Sequence, residues 1–200
     1  MKKKMRAGEP VYHHGDLRRA IMDAALKTIE ESGAHSLSLR EIARKIGVTT
    51  AAPYHHFKDR EALLIEIALQ GYAQLLQCLE FARDRAVDGC QEIEGETRAY
   101  LSFAREHPAL YSVMFSVEVA NKVHYPEMRA MADRCFQVVC SSVVKCARSG
   151  ARESAEAALC LWATLHGISA LNPNQFLEEG RGEQDRIAVK AARSIVLGYA

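Results

Sequence analysis

Two patterns are missing from this chain of 200 residues, and each absence argues against a class of architecture. No segment alternates strictly between apolar and polar residues, which speaks against half-buried strands and hence against a β fold. No window of about eighteen apolar residues occurs, so no transmembrane helix or membrane association is expected. The N-terminus, MKKKMRAGEP, is basic but has no apolar stretch behind it, and it does not read as a secretory signal. Neither a Gly-rich phosphate loop nor a Ser/His/Asp or Cys/His arrangement is legible, so an enzyme would lack a visible nucleophile and base. The six cysteines, Cys78, Cys90, Cys135, Cys140, Cys146 and Cys160, form no CxxC pair and no zinc-finger spacing. A cytoplasmic location is expected, with these cysteines as small buried apolar groups or surface thiols. No metal or cofactor is expected.

What is present is helical. Hydrophobic residues make up 48% and charged residues 26%, an ordinary globular balance. The formal net charge is only +1, but residues 1–60 carry twelve Lys and Arg against seven Asp and Glu, and the remainder carries fourteen against eighteen. A basic first third on an acidic remainder suggests that one end meets an anion. Apolar spacing of 3.6 residues predicts about nine helices, near 16–32, 39–46, 50–56, 60–84, 89–106, 108–116, 126–149, 153–171 and 183–199. Asp16 and Ser38 stand where N-caps are wanted, with Glu41 as capping-box partner of Ser38, and Gly33 and Gly47 stand where helices end. Three segments are expected: a basic arm over 1–15, a small helical unit over 16–60, and a larger helical core over 61–200. The helix at 60–84 carries too many apolar positions for one narrow stripe and is expected to be buried on more than one side.

Two short helices joined through Gly47-Val48-Thr49 have the proportions of a helix-turn-helix. Thr49 and Thr50 offer hydroxyls and free N–H groups to a phosphate at the start of the second helix. The small Ala51 lets that helix approach base edges. Tyr54, His55, His56 and Lys58 supply donors from the same helix and the turn after it. Ser38 and Arg40 begin the preceding helix. His55 and His56 are adjacent and diverge by about 100° around a helix, so a metal site is not expected. The run Gly47 to Leu64, with Tyr54, Phe57 and Leu63-Leu64 at its fixed points, closely resembles the recognition segment of TetR-family regulators, and Leu39-Arg40-Glu41-Ile42-Ala43 resembles their scaffold helix. Pro53 stands where many members have Leu or Ile, which predicts that the helix begins at Thr49 or Thr50, with proline in its first turn. The resemblance implies Tyr54 and Lys58 as phosphate contacts and Thr50, Ala51 and His55 as base readers.

Farther along, Leu161 to Gly167 resembles the Trp-His-Gly motif of one TetR C-terminal type. The resemblance implies an all-α chain: an N-terminal three-helix DNA-binding domain and a C-terminal ligand-binding and dimerisation domain. Residues expected to line a ligand cavity are Tyr100, Phe103, Tyr111, Met114 and Phe115, with Met131, Cys135, Trp162 and His166. These aromatic and sulfur side chains suit an apolar ligand with few polar anchors. The small residues Cys160, Ala163, Gly167 and Ala170 form a strip that lets a second helix approach. The last helix is apolar almost all round, and its Ala188, Ala192, Ile195, Val196 and Tyr199 are expected at a two-fold dimer interface. The function expected is a sequence-specific regulator, a repressor released from a palindromic operator on double-stranded DNA by a small-molecule effector. A helical enzyme and a helical interaction module that does not bind DNA are the competing classes.

Overall fold

The computed structural model describes residues 14–120, 125–147, 151–171 and 181–198. Among these, every regular element is helical: α1 (His14–Ser32), α2 (Leu39–Lys45), α3 (Arg60–Asp84), α4 (Gly89–Glu106), α5 (Pro108–Met114), α6 (Val117–Ala120), α7 (Pro126–Ala147), α8 (Ala151–Ala170) and α9 (Arg181–Gly198), with two short 3₁₀ turns at Ala34–Ser36 and Ala52–His55. The four-residue α6 and the first 3₁₀ turn have no counterpart in the sequence reading, being too short to show a period. The chain forms two compact units that meet inside α3, between Leu64 and Ile65.

In the N-terminal unit α1 buries Ile21, Met22, Ala25 and Ile29, and α2 buries Leu39, Ile42 and Ala43. Both helices end at a glycine with positive φ, Gly33 at 79° and Gly47 at 75°, a conformation that a side chain would strain. The Gly33 N–H closes α1 by donating to Ile29 O at 2.8 Å. Two capping expectations need correction. Helix α1 is already under way at His14, two residues before Asp16, and Ser38, although extended at the start of α2, makes no side-chain capping bond. The caps that form are Asp59, whose Oδ1 accepts from Ala62 N–H, and Asp88, whose Oδ1 accepts from Gln91 N–H, both at 2.8 Å.

The second correction concerns the helix expected over 50–56. It is a 3₁₀ turn over Ala52–His55. Pro53 has no N–H to give to Thr49 O four residues back, and that carbonyl accepts from Ala52 N–H at 3.0 Å instead. A longer bond appears only after the proline, from Phe57 N–H to Pro53 O at 2.9 Å.

In the C-terminal unit α4 packs on α7 and α9, and α8 packs on α7 and α9 as well. The core side of α4 holds Ile93, Thr97, Tyr100, Leu101 and Phe103. Helix α3 is long and apolar enough to cross a membrane by composition alone, and half of its most apolar window is buried within the protein. Its buried positions run from Leu63 and Leu64 to Leu79, with Ala73, Gln77 and Phe81 exposed. At about 100° per residue the buried Leu63 and Tyr72 point to opposite sides, so the helix is buried on more than one side along its length. The last helix begins at Arg181, two residues before the expected 183.

Candidate nucleic-acid interface and ligand pocket

The connection after α2 is folded back by a bond from Val48 N–H to Ala43 O at 2.9 Å. Phe57 is 3% exposed and lies under the Arg18 guanidinium, 5.3 Å from its ring centroid, and Pro53 is also buried. With these side chains taking the interior, Thr49, Thr50, Ala51, Tyr54, His55 and Lys58 are all exposed, and His56 is half-buried. Arg40 is exposed and Ser38 half-buried at the start of α2. Hydroxyls, a phenol, an imidazole and cations thus occupy one short stretch of surface, all of them groups that donate to phosphate or base edges. The acid within the stretch, Asp59, has one oxygen engaged in capping α3. Arg44 and Lys45 are exposed at the end of α2 and were missed in the sequence, although a basic last turn was visible there. Lys45 is anchored to α1, its Nζ donating to Thr28 Oγ1 at 3.0 Å and lying 3.6 Å from Glu31. The basic arm of Lys2, Lys3, Lys4 and Arg6 lies outside the described residues. No group of three or more His, Cys, Asp or Glu side chains among the described residues could hold a metal ion.

A pocket of about 250 Å³ opens in the C-terminal unit, lined by Tyr72, Phe115, Ala132, Asp133, Phe136, Leu159 and Trp162. Of the residues expected from the sequence, Phe115 and Trp162 line it. Three others stand directly behind. Tyr100 packs edge-on against Trp162, with ring centroids 5.3 Å apart, and His166 lies 4.5 Å from Phe115. Tyr111 links them, its hydroxyl 2.7 Å from His166 Nδ1 and 3.2 Å from the Tyr100 hydroxyl. Burial pushes the phenols of Tyr72, Tyr100 and Tyr111 above their ordinary value, so they remain protonated donors.

The remaining expected residues lie elsewhere. Phe103 packs on His107 with centroids 5.2 Å apart, and Met114 fills the space over Gly71, where a Cβ would meet its sulfur at 2.5 Å. The Cys135 thiol donates to Tyr72 O at 3.5 Å, and Met131 is half-buried near Arg134. Tyr72, Ala132, Asp133, Phe136 and Leu159 were missed. The spacing of Ala132 and Phe136 on α7, and of Leu159 and Trp162 on α8, was available but indistinguishable from ordinary core periodicity.

On α8 the small strip faces outward: Cys160, Ala163 and Ala170 are exposed, and Gly167 has nothing within 4 Å of an added Cβ. On α9 the expected set divides. Ala188, Ala192 and Val196 are fully buried within the protomer, because their four-residue spacing forms the stripe that α9 turns inward. The outward stripe is Ile187, Ser194 and Leu197, with Ala191 and Ile195 half-buried at its edges. Tyr199 lies outside the described residues. The cysteines also need correction: Cys90 and Cys146, 56 residues apart, form a disulfide between α4 and α7. Cys78, Cys135, Cys140 and Cys160 keep their thiols.

Comparison with known proteins agrees with this geometry. The family described as bacterial regulatory proteins, tetR family, matches residues 21–67, and a tetracyclin repressor-like C-terminal domain matches residues 95–195. That second description does not specify the Trp-His-Gly type. The chain is 24% identical over 170 residues to the uncharacterized HTH-type transcriptional regulator YobS of Bacillus subtilis (strain 168), covering 82% of this chain and 83% of the relative. It shares its fold with a protein of unknown function from Rhodococcus sp. RHA1, at a TM-score of 0.77 and 30% identity over 95% of this chain and 98% of the other. It is also similar in fold to the transcriptional regulator FadR of Bacillus subtilis in complex with stearoyl-CoA, at a TM-score of 0.69 and 15% identity over 90% and 98% of the two chains. The chain belongs to the TetR family of bacterial DNA-binding transcriptional regulators.

Proposed function

We propose that this regulator is a repressor that holds a palindromic operator as a homodimer in the cytoplasm and releases it when a small, largely apolar ligand occupies the pocket of its C-terminal unit. The observation that carries the reading is the exposed set Thr49, Thr50, Ala51, Tyr54, His55 and Lys58, held outward by the buried Pro53 and Phe57. In this reading Thr50, Ala51 and His55 meet bases, while Tyr54 and Lys58 hold phosphates, with Ser38, Arg40, Thr49 and His56 beside them.

Dimerisation is assigned to α8 and α9 of each protomer. Leu159 and Leu171 on the outer side of α8 and its end are 61% and 56% exposed, and Leu197 on α9 is 54% exposed. Together with Cys160, Ala163, Gly167 and Ala170 they form the kind of apolar surface that a second copy would cover. The stearoyl-CoA complex of FadR supports effector binding within this fold, and the identity of that effector is not carried over. Helix α3 provides a physical link, because it supplies Leu63 and Leu64 to the N-terminal unit and Tyr72 to the pocket. A ligand that binds only the DNA-incompetent arrangement of α3 shifts the population away from the operator.

The test is footprinting of the protein on the DNA upstream of its own coding sequence. Two protected half-sites related by a dyad and centred about 34–36 Å apart, or a multiple of that spacing, are expected. Protection without dyad symmetry, or none above that on random DNA, would count against the reading.

A further inference from the structure

The pocket that the repressor reading treats as an effector site has an unusual wall. Four of its seven lining residues are aromatic, Tyr72, Phe115, Phe136 and Trp162, and its one formally charged lining residue is an acid, Asp133. The rings come in two edge-to-face pairs. Tyr72 and Phe115 stand 6.0 Å apart at 71°, and Phe136 and Trp162 stand 5.9 Å apart at 86°. The faces of each ring carry the negative lobes of its quadrupole, and in each pair the two ring planes are steeply inclined to one another.

Three of the four rings are also held from behind. The Tyr72 hydroxyl donates to Met114 O at 3.1 Å, Trp162 is backed by Tyr100, and Phe115 is backed by both Tyr111 and His166. No Lys or Arg is among the lining residues. Of the arginines nearest in sequence, Arg129 lies 3.7 Å from Asp133 itself, whose side chain is 66% exposed at the rim, and Arg134 lies 4.0 Å from Glu80. The Arg129–Asp133 pair is solvated on both partners, so it holds the carboxylate weakly and leaves it able to face a cation in the pocket. At about 250 Å³ the space lies just below the range usual for drug-sized ligands, roughly 300–1,000 Å³.

We propose that this pocket takes a small organic cation, a quaternary or tertiary ammonium group attached to one ring or a short apolar tail. The ammonium head lies among the faces of Tyr72, Phe115, Phe136 and Trp162 with Asp133 at the rim, and the apolar part lies against Leu159 and Ala132. This assignment rests on the effector reading and narrows its chemistry: a largely apolar ligand that carries one positive charge.

Trp162 is the chain's single tryptophan, so its emission reports on the pocket directly. The experiment titrates the full protein with three probes of one shape: benzyltrimethylammonium, its neutral carbon isostere neopentylbenzene, and the anion benzylsulfonate. The cation is expected to bind about tenfold or more tightly than the neutral isostere, despite its greater cost of leaving water, and the anion not at all. Asp133→Asn should weaken the cation several-fold and leave the neutral probe unchanged. Phe136→Leu, which keeps the apolar volume, should narrow the difference between them. Circular dichroism melts confirm that both variants fold. Equal or tighter binding of the neutral or anionic probe overturns the cation assignment; if that probe also releases the DNA in a gel shift, the effector reading stands without it. If none of the three changes Trp162 emission, the cation assignment falls, and the effector reading is left to the DNA-release assay.

Discussion

Glu96 shows how much a single residue can decide. It is 2% exposed on α4, accepts from the Ser142 hydroxyl at 2.7 Å through one oxygen, and its other oxygen has no hydrogen-bond partner among the described residues. Burial outweighs that bond and, with Glu92 beside it, pushes the carboxyl from an ordinary 4.5 up to about 8, against the opposing pull of Arg83 and Lys145. The folded protein therefore holds this proton more tightly than the unfolded chain does. Its contribution to stability is complete below about pH 4.5 and is lost as pH rises toward 8. Glu96→Gln, which keeps the acceptor for Ser142, should leave the melting temperature little changed at pH 5. At pH 8 it should raise it by roughly 5–10 °C, corresponding to a stabilisation on the order of 2–3 kcal/mol. Melts of both proteins at the two pH values check this, and an equal shift at both would contradict it. None of this was legible in the sequence, where Glu96 is one glutamate on an ordinary amphipathic helix. Its burial is set by α7, which arrives from more than forty residues later.

At the scale of elements, the helices followed closely from periodicity, and the departures have local causes. Pro53 changed an expected α-helix into a 3₁₀ turn by withholding one N–H, and Asp59 and Asp88 rather than Ser38 have visible capping roles. The seam between α4 and α7 was invisible because its partners are distant in the chain. There Gly89 meets the backbone at Cys146, Cys90 is joined to Cys146, and the Lys145 ammonium donates to Glu92 at 2.7 Å. A Cβ on Gly89 would lie 2.5 Å from Lys145 Cβ and 2.6 Å from Cys146 N, closer than these atoms can pack. Gly89→Ala should therefore destabilise by about 1–3 kcal/mol in a thermal or urea melt, although alanine is the better helix former. Gly95→Ala on the same helix, whose Cβ would find Ala82 at an ordinary 3.4 Å, should be neutral or stabilising by up to about 1 kcal/mol. If the two variants melted alike, the close approach at Gly89 would be contradicted.

For the whole molecule, the exposed residues of the N-terminal unit were the most legible part. The apolar Val48, Phe57 and Leu63 stand out beside polar neighbours; Phe57 and Leu63 are buried and Val48 is half-buried, whereas nothing marked Pro53 as buried. The candidate pocket was the less legible part: of its seven lining residues Phe115 and Trp162 were recognisable, whereas Asp133 and Phe136 looked like any solvent-facing and core-facing positions of α7. The α9 face was misread because a helix apolar all round gives no clue to which stripe its own subunit covers. In the proposed dimer each change at the N-terminal surface is made twice, once on each half-site. The most direct measurement is the affinity of wild-type and Lys58→Ala protein for an operator fragment and for random DNA, by fluorescence anisotropy over a range of salt concentrations. Each lost phosphate contact lowers the salt slope by about one, so the variant should lose about two per dimer and bind both DNAs more weakly by a similar factor. Unchanged affinity together with an unchanged slope would show that the exposed surface from Thr49 to Lys58 does not face the phosphates.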